Sequence, residues 1–296
     1  MKTPGTFNDR VNASDKRMSP AEHRVARFFQ DNREEVLIAS ASALAEKAGT
    51  SDATVIRTAK ALGFSGMEDL RRTLATELRD NLSPAGRIAR TLSEVGDDLT
   101  AAFNVTLDIH QTALEGLRRD ITPEAFRAAV EHIVGARRVF VFGIGPSSAM
   151  ADYFTIQLGR FGFEALSLTQ TGLLLADGLQ KLRDGDLLML FAYSRVYPEL
   201  AALLNQADHH DVTTILFTDT LAPKLRDRVD LVLPVARGRA DMLSMHTATL
   251  GLIESLLVGI ATTRPAETIA SLESLNALRA QLVGEPMDLP RSRTQL

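Results

Sequence analysis

The chain has 296 residues, 45% of them hydrophobic and 24% charged, and its formal net charge is −4. This ordinary globular composition excludes a mostly disordered chain, a collagen-like chain and a coiled-coil rod, and the length predicts two domains. The sequence has no cysteine, which excludes disulfides, thiolate zinc sites and a cysteine nucleophile and favours a reducing compartment.

The charge differs between the two parts of the chain. Residues 1–82 contain 13 Lys and Arg against 12 Asp and Glu, a net charge of +1, so the remainder has a net charge of −5. Binding of a polyanion is therefore expected in the N-terminal part. No stretch reaches the ~20 apolar residues that span a bilayer. Residues 1–17 contain no signal-peptide core, so we expect a cytoplasmic protein with no membrane partner.

The first predicted helix begins at Pro20. Residues 1–17 show no periodicity and are expected to form a loose tail. Ser19 can cap the helix, Pro20 suits its first position, and Glu22 completes a capping box with Ser19. An apolar stripe at i, i+3 and i+4 follows, formed by Val25, Phe28 and Phe29.

Three further short helices are predicted before the first domain boundary. They span 42–48, 51–62 and 67–80, and the residues Asn-Leu-Ser-Pro at 81–84 interrupt the helical pattern. After this boundary one long helical stretch is expected over about 85–117, and a new capped helix start follows at Thr122.

Residues 44–57 have the spacing of a helix-turn-helix unit. Gly49 lies where a tight turn between helices needs a residue that tolerates positive φ, and Ser51 can cap the second helix. The second helix has an apolar face of Val55, Ala59 and Leu62 and a small polar face of Thr54, Arg57, Thr58 and Ala61. A DNA-recognition helix needs this division, and Arg57 could contact guanine or phosphate. The alternative is a small helical bundle with an ordinary solvated face.

Several segments of this region resemble the RpiR-type (MurR/RpiR) family of bacterial regulators. They read MSPAE at 18–22, ALAEKAG at 43–49, ATVIR at 53–57 and LGFSG at 62–66. The resemblance implies a DNA-binding domain over residues 1–82. The DNA contacts expected are Lys47, Thr50, Ser51, Asp52, Thr54, Arg57 and Thr58. Thr58 departs from the family pattern, because relatives often carry an aromatic residue there.

From residue 138 onward, predicted strands alternate with predicted helices. The strands are 139–142, 165–168, 186–192, 212–217 and 231–235, and the helices are 147–161, 173–182, 198–207 and 244–261. This alternation predicts a doubly wound α/β domain with a five-stranded parallel sheet. Ligands of such sheets bind beyond the carboxyl ends of the strands, here 143–148, 192–197 and 218–220. A last helix after Pro265 and a frayed tail over 284–296 are also expected.

The turn after the first strand has the composition of an anion site. Gly143 and Gly145 allow a tight turn, and Ser147 and Ser148 follow at the start of a helix, where backbone amides favour an anion. The turn is not a dinucleotide fingerprint, because the third glycine is absent and Asp152 is too close to serve as the ribose acid. Ser147 could instead be a simple helix cap.

Together with a second turn at 192–197, this region resembles an SIS (sugar isomerase) domain over residues 126–265. The resemblance implies a domain that dimerises and a sugar phosphate held by both turns. The ligand contacts expected are Gly143, Gly145, Ser147, Ser148, Tyr193, Ser194, Arg195, Tyr197 and Thr218. Two positions depart from the family pattern, since Ala192 replaces a serine and Arg195 replaces a glycine. Arg195 could bind the anion, recognise a carboxylate or fill the pocket, and the sequence leaves these alternatives open.

Other polar candidates have simpler explanations. Glu199 and His246 could act as base and acid in sugar isomerisation, but a favourable helix N-terminus and packing beside methionines account for them better. The histidines at 209–210 are attributed to a helix dipole rather than to a metal, because adjacent residues do not share a helix face. The arginines at 71–72 either contact the DNA backbone or lie on a solvated face. We expect no metal, no cofactor and no catalytic residue.

The sequence thus predicts a DNA-binding domain (1–82), a helical linker (83–125), an SIS-like domain (126–265) and a C-terminal helix and tail (266–296). We interpret the chain as a transcriptional regulator that binds double-stranded DNA, at an inverted repeat, and responds to a small anionic sugar-type metabolite. A homodimer or a dimer of dimers is expected. The alternatives are a sugar-phosphate isomerase with an accessory helical domain and an interaction protein whose SIS fold binds nothing. Turnover of a phosphosugar would favour the first, and duplex binding modulated by a metabolite would favour the regulator.

Overall fold

The computed structural model describes residues 7–14, 18–81, 84–239 and 242–284. The chain divides into two compact units, one of Met1–Glu94 with Ala240–Leu243 and the other of Val95–Arg239 with Ser244–Leu296. The division therefore falls inside the predicted linker. Residues 82–83 of the predicted break at 81–84, and residues 285–296 of the predicted tail, lie outside the described residues.

The secondary structure described for the first unit is helical. The helices are α1 (Phe7–Ser14), α2 (Pro20–Asp31), α3 (Arg33–Ile38), α4 (Ala41–Lys47), α5 (Asp52–Ala61), α6 (Met67–Asn81) and α7 (Pro84–Val95). Their core contains the fully buried side chains of Val25, Phe29, Leu44, Val55 and Leu70. The predicted capping box of α2 is confirmed, since Ser19 and Glu22 each accept a hydrogen bond from the other's backbone.

The prediction of a loose tail is wrong for residues 7–14. Phe7 is fully buried, and its ring stacks on that of Phe64 at 6.3 Å between centroids. The Arg10 guanidinium lies over the Phe64 ring, 4.4 Å from its centroid, and donates to the carbonyl oxygen of Gly63 at 2.9 Å. The apolar pattern of α1 is limited to Phe7 and Val11 at i and i+4, which is too short to predict a helix.

The predicted continuous helix over 85–117 is also wrong, because the structure has two helices there. α7 ends at Val95, and α8 spans Leu99–Asp120. Gly96 between them has a φ of 67°, and Asp98 caps α8 by accepting from the Thr100 amide at 2.8 Å. α8 packs against α14 (Thr247–Thr263) at Gly251, where a Cβ would lie 2.9 Å from Leu114. Most of the predicted linker is therefore part of the second unit.

The second unit contains a five-stranded parallel sheet of order β2-β1-β3-β4-β5, which confirms the predicted fold class. The strands are β1 (Val139–Phe142), β2 (Ala165–Leu168), β3 (Leu187–Phe191), β4 (Thr213–Thr218) and β5 (Leu231–Pro234). The remaining helices are α9 (Pro123–Gly135), α10 (Pro146–Arg160), α11 (Leu175–Leu179), α12 (Pro198–His209), α13 (Ala222–Leu225) and α15 (Pro265–Val283). Among the helices in the described ranges, none is both long and apolar enough to cross a bilayer.

Both faces of the sheet are covered, which explains why its strands are nearly continuous apolar runs. Val139 and Val141 of β1 pack in one cluster with Phe154 of α10 and Ile253 of α14. The alternate residues 140 and 142, both phenylalanines, pack in a second cluster with residues of α12. The strand order reverses between β1 and β3, and this switch point is where doubly wound sheets bind ligands.

The burial of Phe7 yields a stability prediction. Phe7→Ala should lower the free energy of unfolding of the first unit by about 3 kcal/mol, because it leaves a cavity beside Phe64. The control is Ile38→Ala, which removes a side chain that is 83% exposed and should change stability by less than about 0.5 kcal/mol. Urea denaturation of the full chain followed by circular dichroism measures both effects. Equal midpoints for Phe7→Ala and wild type would show that α1 is not part of this core.

Candidate functional site

The turn between α4 and α5 is built as the helix-turn-helix pattern predicts. Gly49 has a φ of 61°, and the Thr50 amide donates to the carbonyl oxygen of Ala45 at 2.9 Å. Ser51 caps α5, with its hydroxyl accepting from the amide of Thr54. The start of α5 is therefore fixed relative to α4 by local hydrogen bonds.

The free face of α5 differs from the predicted one. Thr58 is fully buried and its hydroxyl donates to the carbonyl oxygen of Thr54 at 2.8 Å, while Thr54 itself is 6% exposed. The expectation that these two threonines lie on an open surface is therefore wrong. The exposed residues of the helix are Asp52, Ala53, Ile56, Arg57, Lys60 and Ala61. The sequence analysis did not predict Ile56 and Lys60 as part of the exposed face. Their positions one residue before and three residues after Arg57 place them beside it on the helix, and this spacing could have identified both.

The basic residues of this unit have different surroundings. Arg57 is exposed and donates to the Thr54 hydroxyl at 3.1 Å. Its positive charge also contributes to the lowered pKa of the Glu22 carboxyl, which is caused mainly by hydrogen bonds from Ser19. Lys47 is exposed and forms an ion pair with Glu35.

Arg71 has a structural role. Its side chain donates to the carbonyl oxygens of Val36 and Ala39 at 2.9 and 2.5 Å. These oxygens lie at the C-terminal end of α3, where the last carbonyls of a helix need donors. Neither alternative considered for Arg71, a DNA contact or a solvated position, describes this side chain, which is only partly exposed.

In the second unit the turn between β1 and α10 brings a helix N-terminus to the carboxyl edge of the sheet. A Cβ at position 143 would lie 2.4 Å from the carbonyl oxygen of Ser147, so this approach requires Gly143. Gly145 precedes α10 with a φ of 59°. The Ser148 hydroxyl is half-buried and donates to the Gly145 carbonyl oxygen at 2.8 Å, whereas Ser147 is buried at 6% exposure.

The turn after β3 lies beside it, because β1 and β3 are paired in parallel. The Tyr193 carbonyl oxygen accepts from the Thr218 hydroxyl at 3.1 Å and from the Thr220 amide at 2.9 Å. The Tyr193 hydroxyl is 2.8 Å from that of Thr249, and burial raises the pKa of Tyr193. Tyr193 and Thr218 are 4% and 1% exposed, so their side chains hold the turn together instead of facing a ligand.

The polar residues of this turn that face solvent are Ser194, Arg195 and Tyr197, and Val196 among them is exposed as well. Ser194 is half-buried, and Arg195 and Tyr197 are exposed. We call the space between these residues and the N-terminus of α10 the crevice. The exposure of Arg195 is inconsistent with the alternative that it fills a closed pocket.

Arg237 is a crevice residue that sequence reasoning missed. Its Nη2 donates to the hydroxyl of Ser194 at 3.2 Å, and its guanidinium lies 4.5 Å from the centroid of the Tyr193 ring. Its amide donates to Asp219 at 3.3 Å. The only signal in the sequence is an arginine just beyond the end of β5, which is weak because arginine is common in loops. The structure therefore places a second guanidinium beside Ser194.

His246 and Glu199 have defined partners. The His246 ring packs edge-on against Tyr193 at 5.3 Å between centroids, and burial, aided by the charge of Arg237, lowers its pKa to about 4. His246 is therefore neutral at pH 7. Glu199 accepts a hydrogen bond from the amide of Gly172 at 3.3 Å. Within the described ranges no cluster of three or more acidic or histidine side chains is arranged to hold a metal ion.

A separate cavity of about 390 Å³ lies at the opposite, amino edge of the sheet. Its charged lining includes Glu131, Asp184, Asp211 and Asp230. Carboxylates repel an anion, and ligands of doubly wound sheets bind at the carboxyl edge. The crevice is therefore the better candidate for an anion site.

Two families match the two units. Residues 6–81 match the helix-turn-helix domain of the rpiR family, and residues 132–259 match the SIS domain. A curated relative, the bifunctional protein glk of Burkholderia orbicola, is 30% identical over 261 residues, which are 86% of this chain and 40% of the relative. The chain thus spans about two fifths of that relative's length.

Solved structures show the same folds. The sugar isomerase domain of an RpiR transcription factor from Sphaerobacter thermophilus is 27% identical, with a TM-score of 0.55 over 59% of this chain and 97% of that one. The Vibrio vulnificus NanR protein complexed with ManNAc-6P is 22% identical, with a TM-score of 0.58 over 94% of this chain and 99% of that one. At that identity the second likeness shows the fold alone.

The close approach at Gly143 yields a prediction about the first turn. Gly143→Ala should destabilise the second unit by about 2 kcal/mol or more, because the added methyl collides with backbone atoms that cannot move away cheaply. Gly159→Ala, near the C-terminal end of α10, is the control. Its added Cβ meets no atom within 4 Å, so it should stabilise the helix by about 0.5–1 kcal/mol. Denaturant midpoints of the two variants test the steric argument, which would fail if both were equally tolerated.

Proposed function

We propose that the chain is a DNA-binding transcriptional regulator of the RpiR family, because an rpiR-type helix-turn-helix unit is followed by an SIS domain. Its affinity for double-stranded DNA is set by a small anionic metabolite of the sugar-phosphate class. The observation that carries the proposal is the exposed face of α5, which is free of core contacts and carries Arg57 and Lys60. A cytoplasmic location follows from this role.

The DNA contacts are assigned to α5 and its N-terminal turn. A recognition helix in the major groove presents small and polar side chains to base edges and basic side chains to phosphates. Ala53 and Ile56 supply small and apolar contacts, and Arg57 and Lys60 supply the positive charge. Thr50, Ser51 and Asp52 lie at the helix start, where the approach to the groove is closest. Lys47 can reach phosphate after leaving its ion pair.

The effector is assigned to the crevice. Backbone amides at the α10 N-terminus favour an anion, and guanidinium groups bind phosphate or carboxylate through paired hydrogen bonds. Arg195 follows Ser194 in the sequence, and Arg237 donates to the Ser194 hydroxyl. The Ser148 hydroxyl contributes from the first turn. The NanR protein, which is complexed with ManNAc-6P, supports a phosphorylated sugar as the ligand class.

We further propose a homodimer or a dimer of dimers that binds an inverted repeat. One helix-turn-helix in a segment of net charge +1 makes few phosphate contacts, so two copies are needed for tight binding. α8 supports association, because it exposes Leu99 and Phe103 at 86% and 64%, more apolar surface than a helix facing only water usually shows. A two-fold assembly selects a two-fold operator.

The same site is proposed to bind without catalysing turnover. Glu199 is occupied by the Gly172 amide, and His246 is neutral and packed on Tyr193, so neither is placed as a free acid or base. Incubation of the purified chain with sugar phosphates, followed by NMR of the sugar carbons, separates the regulator from an isomerase. Interconversion of an aldose phosphate and a ketose phosphate would favour the enzyme.

The role of Arg57 can be tested by binding. An operator is first selected from a pool of random duplexes with the full chain. Arg57→Ala should then weaken operator binding by about 1–3 kcal/mol and relax the preference at one base pair. Arg57→Lys keeps the charge and should restore affinity only if Arg57 contacts phosphate. Arg183→Ala, which removes the same charge from the second unit, is the control, and wild-type affinity in Arg57→Ala would refute the assignment.

The effector site can be tested with ManNAc-6P, glucose 6-phosphate and inorganic phosphate as probes. At least one sugar phosphate should raise the melting temperature and change operator affinity. Arg195→Ala and Arg237→Ala should each weaken its binding by about 1.5–3 kcal/mol, the worth of a hydrogen bond to a charged group. Ser148→Ala should have a smaller effect, because the backbone amides remain.

The control for this experiment is Arg226→Ala, since Arg226 is an exposed arginine outside the crevice. Calorimetry should find its affinity for the sugar phosphate unchanged. Arg195→Gly distinguishes the remaining alternative for this position. It should lose affinity like Arg195→Ala, and a gain in affinity would show that the arginine obstructs the ligand.

A further inference from the structure

Between β5 and α14 the chain passes from the second unit to the first unit and then returns to the second unit. Arg237 belongs to the second unit and lies in the crevice, Met242 and Leu243 group with the first unit, and the chain re-enters the second unit at Ser244. Residues 242–246, which we call the return segment, lead from the first unit back to His246 in the crevice. The chain itself therefore provides a short covalent path between the two units.

The crevice end of this path is held by contacts to Arg237 and Tyr193. The Met245 amide donates to the Arg237 carbonyl oxygen at 3.2 Å, which closes the segment into a loop. The next residue, His246, packs on the same Tyr193 ring that carries the Arg237 guanidinium. The Met245 sulfur also lies 3.0 Å from Nε2 of His110 in α8. Movement of Arg237 therefore changes the contacts of the two residues that end the return segment.

The other end is attached to α7. The Leu243 amide donates to the Thr91 hydroxyl oxygen at 3.0 Å, and that hydroxyl donates to the Arg87 carbonyl oxygen at 2.9 Å. Thr91 is 9% exposed and Met242 is fully buried. The hydroxyl proton is used within α7, so its oxygen is oriented to accept from Leu243. Only Ser244 separates this anchor from Met245.

We infer that the return segment transmits occupancy of the crevice to the DNA-binding unit, with Thr91 as the positioning residue that anchors it. This inference rests on the proposed function, because it takes an anion in the crevice as the signal. An anion that binds the Arg237 guanidinium competes with the Ser194 hydroxyl and alters the packing on Tyr193. The change passes through the Arg237–Met245 hydrogen bond to Leu243 and α7. Such coupling is a reciprocal free energy between two sites.

The test separates binding from transmission. Thr91→Val removes the acceptor for Leu243 while keeping the shape of the side chain, and Thr91→Ser keeps the acceptor as the matched control. ManNAc-6P is the probe, with glucose 6-phosphate and inorganic phosphate alongside. In wild type and Thr91→Ser, the sugar phosphate should change operator affinity by about 5-fold or more, the usual lower range of allosteric coupling. In Thr91→Val the operator affinity with the sugar phosphate divided by that without it should be about 1. The affinity for the sugar phosphate in the absence of DNA should stay the same.

If the sugar phosphate changes operator affinity in Thr91→Val as much as in the wild type, the inference is wrong. A second variant guards against an effect of altered packing in α7. Insertion of two glycines after Ser244 lengthens the return segment without removing a side chain. It should likewise abolish the effect of the sugar phosphate on operator affinity. Circular dichroism of each variant confirms that both units remain folded.

Hydrogen exchange tests the path without any effector. In the wild type the Met245 amide is protected by its bond to Arg237, and Thr91→Val should speed its exchange by at least about 5-fold through loss of the anchor two residues away. Thr91→Ser should not. Unchanged protection of Met245 in Thr91→Val would overturn the inference even if no sugar phosphate binds the wild type. If no probe binds but Met245 responds, the proposed effector fails and the mechanical path stands.

Discussion

The crevice depends on Tyr193, which joins the end of β3 to the end of β4 and to α14. Its carbonyl oxygen accepts from Thr218 and Thr220 at the end of β4, and its hydroxyl bonds to Thr249 in α14. The end of a parallel strand leaves backbone groups without ladder partners, and a buried unpaired carbonyl costs about 1–3 kcal/mol. The two threonines satisfy the Tyr193 carbonyl oxygen, which fixes the end of β3. The residues that follow Tyr193 can therefore face solvent in a defined position.

The ring of Tyr193 sets the electrostatics of the crevice. A guanidinium over an aromatic face gains about 0.5–2 kcal/mol, and Arg237 occupies that place. His246 on the same ring is kept neutral by burial, which lowers its pKa to about 4. The phenol stays protonated because burial raises its pKa. His246 and the phenol thus add no negative charge to the crevice, whereas Asp219, which accepts from the Arg237 amide, is a carboxylate close enough to act on Tyr193.

Local patterns predicted the elements, and contacts distant in sequence account for what they missed. The sheet could be predicted because its buried strands are continuous apolar runs, and the capping box of α2 because it needs only residues three positions apart. Thr58 was misplaced because a small polar residue fits either face of a helix, and its hydroxyl is satisfied by the Thr54 carbonyl inside the core. Phe7 and Arg237 pair with Phe64 and Ser194, which lie 57 and 43 positions away. No periodicity encodes such pairs.

The arginine at position 195 changes how the second turn can recognise a ligand. Among the described residues, Asp211 alone has a positive φ without being glycine, so the backbone at Arg195 adopts an ordinary conformation that does not require glycine. A glycine there would serve only to let the backbone approach a ligand closely. In the proposed site, recognition passes to the long side chains of Arg195 and Arg237, whose planar guanidinium groups match the oxygens of phosphate or carboxylate. Under the proposed function, selection at this turn therefore depends more on the anionic group of the ligand than on the shape of the sugar ring.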